Sequence, residues 1–341
     1  MIPYTWLEEA VERIAPHIRV TPLSYDPNND LFLKWENHQV TGSFKARGAL
    51  NKVLGLQAWE AARGLVAASA GNHGQGVALA AQLVGAPATI FVSEHAVPAK
   101  VEAMRALGAE VRLVAGGYGE AEQAGIAFAK EHNAIWISPY NDGQVIAGQG
   151  TLGMELLQEL ENLPDATWVV PVGGGGLIAG MGAAIQAFFP TPSAAADPAG
   201  EPEEIPARNR KPRLVGAQST ASPFMHALFT GGDQSGVVEL DSLADGLAGP
   251  VEVNSLTIPL VRRLVDEIVL VEEEEIRRAI AYAWNRYRER IEGSAAVALA
   301  AVLEGRVSAR PAVVVLTGGN IQPEVHQALL QETHLNQGLD R

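Results

Sequence analysis

The sequence predicts an α/β fold in which largely parallel sheets are covered by helices on both faces. Short β-rich runs (GLVAASA, ATIFV, AEVRLV, AIWISP, then TWVVPV, RLVGAQ, EIVLV and AVVVLTG) alternate with helical patterns such as PAKVEAMRALG, EAEQAGIAFAKEH and EEEIRRAIAYAWNRYRERI. Several runs are almost continuously apolar, as strands buried on both faces must be. Glycine-rich turns follow three of them, at the strand ends where such sheets bind ligands. Four runs within residues 64–141 predict a small mobile domain. Residues 1–63 and 142–341 are expected to form a larger one, with a cleft between the two.

Composition narrows the class. A chain of 341 residues, 47% hydrophobic and 19% charged, buries a core without staples, and zero cysteines exclude disulfides and thiolate metal sites. A formal charge of −14 argues against nucleic acid or an anionic membrane as partner, yet leaves room for an anion site built from backbone. The start, MIPYTWLEEAVERI, reads as an acidic amphipathic helix rather than a signal peptide. No run approaches the ~18 to 20 apolar residues that span a bilayer, so a soluble, cytoplasmic protein is expected.

Along the chain, the first chemical signal is TGSFKARGALNKVLGL. Ser43 is a natural N-cap, and Ala46, Ala49, Leu50, Val53 and Leu54 recur at helical spacing. That places Lys45 in a first turn, where the positive end of the helix dipole disfavours an ammonium and lowers the amine's pKa. SAGNHGQG follows the run GLVAA and opens a helix; its glycines 71, 74 and 76 permit close approach, and its N–H groups favour an anion. In PVGGGGLIAG, Gly173, Gly174, Gly175 and Gly176 lie between a strand and a helix. Their entropic cost of roughly 0.5 to 1 kcal/mol each points to a use, and converging N–H groups make a phosphate cradle. LTGGNI ends the last strand with Thr317, whose hydroxyl suits a neutral ring nitrogen.

Other patterns read as structural. GQGTLG, at 148–153, has dinucleotide-fingerprint spacing but follows a helical-looking segment instead of a strand. Glu272 to Glu275 open a helix and complement its dipole. Histidines paired as metal ligands at i, i+4 are absent, and no metal site is expected. Residues 191–213, rich in Pro, Ala and charge, predict a flexible insertion.

An amine of lowered pKa, a phosphate cradle and a ring-nitrogen partner together suit pyridoxal 5′-phosphate. From about Thr21 to Ile321 the sequence resembles the fold-type II pyridoxal-phosphate enzymes, which share the tryptophan synthase β-like fold. The serine/threonine dehydratase and serine racemase branch is the most similar, through TPL, LKWENHQVTGSFKARGA, SAGNHGQG, AGQGT, PVGGGG, ADGLA, EGSAAVALAA and TGGN, in that order. The resemblance implies that Lys45 carries the cofactor, Phe44 packs on its ring, Gly173 to Gly176 hold its phosphate, Asn72 its 3′-oxygen and Thr317 its ring nitrogen. Gly246 leaves room on the other ring face, and Glu292 lies nearby. Ser69, Gly71, Asn72 and His73 receive the carboxylate of a small amino-acid substrate. The implied reaction is β-elimination from L-threonine or L-serine to a 2-oxo acid and ammonia, in a homodimer or homotetramer.

Two departures sharpen this. Racemases of the branch carry a serine where this chain has Ala70, which moves no proton, so dehydration is favoured over racemization. Cation-binding members carry a glutamate where this chain has Gln218, a poor ligand for a hard cation. The chain also ends soon after Asn320, so feedback inhibition through a C-terminal effector domain is not expected. Other eliminations or β-replacements on the same cofactor, and a catalytically silent amino-acid-binding module, are the competing readings.

Overall fold

In the computed structural model, which describes residues 1–160, 165–189 and 211–339 (333–339 as backbone), the chain builds two sheets. It begins with α1 (Tyr4–Ile14), β1 (Leu23–Asp26), β2 (Leu31–Trp35), α2 (Lys45–Leu54) and α3 (Ala58–Ala61). Then come β3 (Leu65–Ala68), α4 (Asn72–Val84), β4 (Ala88–Ser93), α5 (Pro98–Ala106), β5 (Glu110–Val114), α6 (Tyr118–Glu131) and β6 (Ile135–Trp136). The remainder is α7 (Gly143–Glu159), β7 (Thr167–Pro171), α8 (Gly176–Phe188), β8 (Arg213–Ser219), α9 (Phe224–Thr230), α10 (Thr257–Leu264), β9 (Glu267–Val271), α11 (Glu273–Tyr287), α12 (Gly293–Leu303), β10 (Ala312–Leu316) and α13 (Pro323–Leu339).

The larger sheet has the order β1-β2-β10-β7-β8-β9 and is parallel except for the β1/β2 hairpin; the smaller, β5-β4-β3-β6, is wholly parallel. Strand side chains alternate between two cores. Trp168, Val170, Val313 and Val315 pack under α1, α7, α8 and α10, while Val169, Val215, Val314 and Leu316 pack under α11 and α12. The smaller sheet is divided likewise: Leu65, Ala67 and Ile90 face α2, α4 and α5, and Val66, Ala68 and Phe91 face α6. Helix α2 therefore shares a core with the smaller sheet while also packing on α7.

Two expectations change. Strands β1 and β2 were not legible in the sequence, since LFLKW carries a lysine that a buried strand should not hold. Lys34 is fully buried there, paired with Glu155 and Glu159 at 2.6 Å each. Nor does Ser43 cap α2: the helix starts at Lys45 with Phe44 at its N-cap, Ser43 is extended against Gly318, and its buried hydroxyl has no partner among the described residues. Most of the 191–213 insertion lies outside the described residues; its last residue, Arg213, opens β8.

GQGTLG lies wholly within α7, whose start is capped by Asp142 Oδ1 accepting from Gln144 and Val145 N–H at 2.8 and 3.0 Å. Its glycines serve helix crossing. A Cβ at Gly148 would stand 2.7 Å from the Arg47 carbonyl oxygen, and one at Gly150 2.8 Å from that of Gly180. Glu272 and Glu275 form a capping box at the start of α11, as their position suggested.

Candidate active site

Lys45 is the first residue of α2, and its Nζ donates to the Pro139 carbonyl at 3.1 Å. Burial lowers its pKa to about 8, with the Glu292 carboxylate pulling the other way. Desolvation, rather than the helix dipole invoked from the sequence, is thus the leading physical cause. The start of α2 is held from both directions. Phe44 N–H donates to the Thr317 carbonyl at 3.0 Å. On the far side Arg47, fully buried, bonds both oxygens of the equally buried Glu36 at 2.8 Å and reaches Glu155 at 2.9 Å. Thr21 completes the cluster by donating to Glu36 at 2.6 Å. This ion cluster links TPL, LKWEN and FKARG, and sequence reasoning missed it. The available signal was charge at helix- and strand-core positions, Lys34, Glu36 and Arg47.

The turn from β3 into α4 carries Ser69 to His73. Ser69 Oγ accepts from Gly71 N–H at 3.1 Å, and the N–H groups of Asn72, His73 and Gly74 donate to no acceptor among the described residues. A helix start with free N–H groups receives an anion. Asn72 is fixed at both ends of its amide: it donates to Glu292 at 2.6 Å and accepts from Asn320 at 2.7 Å. The His73 ring points elsewhere, with Nε2 2.8 Å from the Ile137 carbonyl. A carbonyl only accepts, so Nε2 holds the proton. Burial, then the charge of Lys45, pushes the ring's pKa down to about 3. Its Nδ1 is consequently a bare, buried acceptor, and only the backbone of His73 can donate to a carboxylate.

Gly173 to Gly176 connect β7 to α8, and the N–H groups from Gly173 to Ile178 likewise have no acceptor among the described residues. Gly175 adopts φ +85°, a left-handed conformation that glycine takes without strain. Sterics contribute as well. A Cβ at Gly174 would lie 2.4 Å from Tyr140 Cδ1, and the Tyr140 hydroxyl is held 2.9 Å from Glu252 N–H. Gly174→Ala must therefore displace either the ring or the loop. Overpacking of this kind costs about 1–3 kcal/mol, and cofactor retention is expected to weaken by about tenfold or more. Equilibrium dialysis of the variant checks this, and parental retention would contradict it.

Thr317 directly follows β10 and is buried, and its hydroxyl has no partner among the described residues. Beside it Gly318 adjoins Glu292: a Cβ there would stand 2.5 Å from Glu292 Oε1. Burial first, then the charge of Asp245, raises Glu292 to about 7, against the hydrogen bond from Asn72. Gly246 donates to Ser294 Oγ at 3.0 Å, which leaves no space for a side chain on that face. Among the described residues no group of three or more acidic or histidine side chains could hold a metal ion, and the Gln218 amide oxygen accepts from His226 N–H at 2.9 Å.

Residues 10–318 match the family model described as "Pyridoxal-phosphate dependent enzyme". The chain belongs to this family. It is 41% identical to an L-threonine ammonia-lyase of Geobacter sulfurreducens, over 94% of this chain and 76% of that protein. To an L-threonine ammonia-lyase of Thermotoga maritima it is 38% identical, over 99% of this chain and 80% of the relative. Its fold is similar to that of maize serine racemase, with TM-score 0.83 and 28% identity over 98% of each chain. The cofactor is pyridoxal phosphate, and the fold is that of the fold-type II enzymes.

The residues present fit that group. Its phosphate needs several donors and little side-chain bulk, as the free N–H groups at 173–178 provide. Its aldehyde needs an amine that is neutral for an appreciable fraction of the time, which burial gives Lys45. The Ser43 hydroxyl, buried without a partner among the described residues, and the Thr317 hydroxyl are further polar groups in the same stretch of structure, across the Ser43–Gly318 bridge.

Proposed function

We propose that this enzyme removes water and ammonia from L-threonine, L-serine or both, releasing the 2-oxo acid, with Lys45 as the catalytic base. One observation carries the reading. At the strand ends β3, β7 and β10 meet a buried amine of lowered pKa, two helix starts with free N–H groups and a hydroxyl suited to a neutral ring nitrogen. The L-threonine ammonia-lyases at 41% and 38% identity support the same chemistry.

When bound, the cofactor supplies a carbonyl for the substrate amine and an electron sink for charge developing at Cα. The protein does the rest. Asn72, His73 and Gly74 N–H groups orient the substrate carboxylate, aided by Ser69 and Gly71. The Lys45 amine would take the Cα proton of the substrate, for which a pKa near the working pH is the useful value. A Thr317 hydroxyl, instead of a carboxylate, would hold the ring nitrogen without protonating it, and the ring would then be the weaker electron sink. That favours prompt loss of the β-hydroxyl.

Residues 64–141, which contain the smaller sheet, are proposed to close over the substrate as one unit against residues 1–63 and 142–341. Ala70 weighs against racemization, because it supplies no acid on the face opposite Lys45. The proposal extends to a cytoplasmic homodimer or homotetramer. Among the described residues no helix is long and apolar enough to cross a membrane. A purified sample is expected to be yellow, to carry its cofactor fixed to Lys45 after borohydride reduction, and to release a 2-oxo acid from L-threonine or L-serine. A label mapped elsewhere would refute the site, and turnover confined to racemization would refute the reaction.

A further inference from the structure

The face of α5 that looks onto the β3–α4 turn carries Lys100 and, one helical turn later, Met104. Met104 is fully buried, and its sulfur lies 2.4 Å from where a Cβ at Gly74 would stand. The Lys100 ammonium lies 4.0 Å from the corresponding point at Gly71. It also ends 3.1 Å from Asp245 Oδ2, on the part of the chain that carries the larger sheet. Asp245 belongs to the connection between α9 and α10, where Gly246 is tied to Ser294 on α12. One ion pair thus joins the helix that backs the Ser69–Gly74 turn to the loop beside the cofactor residues.

Its exposure decides what it is for. The Lys100 side chain is 20% exposed and that of Asp245 64%. A pair so open to water adds little to global stability. It can still bias an equilibrium between open and closed arrangements by a few-fold, which is the scale on which substrate affinity is set. The ionisation of Glu292 senses both charges, raised by Asp245 and lowered by Lys100, so the pair lies within reach of the site's own electrostatics.

We propose that the Lys100–Asp245 ion pair ties the β3–α4 turn shut over the substrate carboxylate. Lys100 is then a positioning residue, acting through Ser69 to His73 without touching the reacting atoms. The inference rests on the reading of that turn as the carboxylate receptor. Its signature is in KM more than in kcat, because the tie orders the receptor in ground and transition states alike.

The test compares Lys100→Met, Asp245→Asn and the double variant. Each single change is expected to raise KM for L-threonine by about 3- to 5-fold and lower kcat by less than about twofold. The double variant should match the worse single, since both remove one interaction. Raising NaCl to about 0.5 M should raise KM of the parent and leave that of Lys100→Met nearly unchanged. Without substrate, amide hydrogen exchange over residues 69–76 should be faster in both single variants than in the parent. A KM within about twofold of the parent in both singles, or effects that multiply in the double variant, would overturn the tie. If the parent released no 2-oxo acid, the functional reading would fail on its own. The exchange comparison would then decide the tie separately, with unaltered rates counting against it.

Discussion

Lys45→Ala is expected to lower release of 2-oxo acid from L-threonine by at least ~10³-fold, since positioned acid–base groups alone contribute 10²–10⁴-fold and this residue also anchors the cofactor. The fold should persist. Among the described residues the amine makes one hydrogen bond, to Pro139, and removing it relieves a buried charge instead of creating one. A variant with parental melting temperature, no yellow band and no turnover is the expected result; activity within tenfold of the parent would remove Lys45 from its role. The same pKa gives a pH dependence of definite sign. At pH 7 an amine of pKa about 8 is neutral roughly one tenth of the time, against about 3 in 10,000 for an ordinary lysine. Uptake of cofactor by stripped enzyme should therefore accelerate as pH rises from 6 and level off above about 8. A rate still climbing steeply at pH 10 would mean that burial does not depress the amine.

The sheets were legible because their strands are apolar runs and the turns after them are rich in glycine. TWVVPV followed by four glycines constrains the backbone almost without reference to the rest of the chain. Asn72 and Thr317 stood out because each sits at such a turn, and Lys45 because it falls in the first turn of a helix. What periodicity cannot reveal is which side chains meet across the fold. Nothing local to EGSAA indicates that Glu292 faces Asn72 at 2.6 Å, or that Asn320 aligns the same amide from the opposite end. His73 illustrates the limit: its motif suggests a donor to substrate, yet the ring spends its only proton on Ile137. Strand β2 escaped for a related reason. A lysine inside LFLKW contradicts a buried strand until Glu155 and Glu159, more than a hundred residues later, are known to neutralise it.

The larger effect on stability is expected at Arg47. Burial alone would disfavour its guanidinium charge, but Glu36 and Glu155 overcome that and hold its pKa above the ordinary value. Arg47→Met leaves Glu36 fully buried with Thr21 as its remaining donor among the described residues. Breaking a buried pair from one end costs about 3–5 kcal/mol, far more than the intact pair contributes, because a desolvated charge is left uncompensated. At roughly 2–4 °C per kcal/mol for a chain of this order of size, the melting temperature should fall by about 6–20 °C. Adding Glu36→Met should restore part of the loss, whereas independent sites would give a further decrease. Calorimetry of the single and double variants distinguishes these, and a single variant within about 2 °C of the parent would show the cluster to be hydrated and of little consequence. The effect also reaches the chemistry. Arg47 lies two residues beyond Lys45 on α2, and its bonds to Glu36 and Glu155 fix the turn from which the amine projects, so surviving Arg47→Met enzyme should lose kcat in addition to stability.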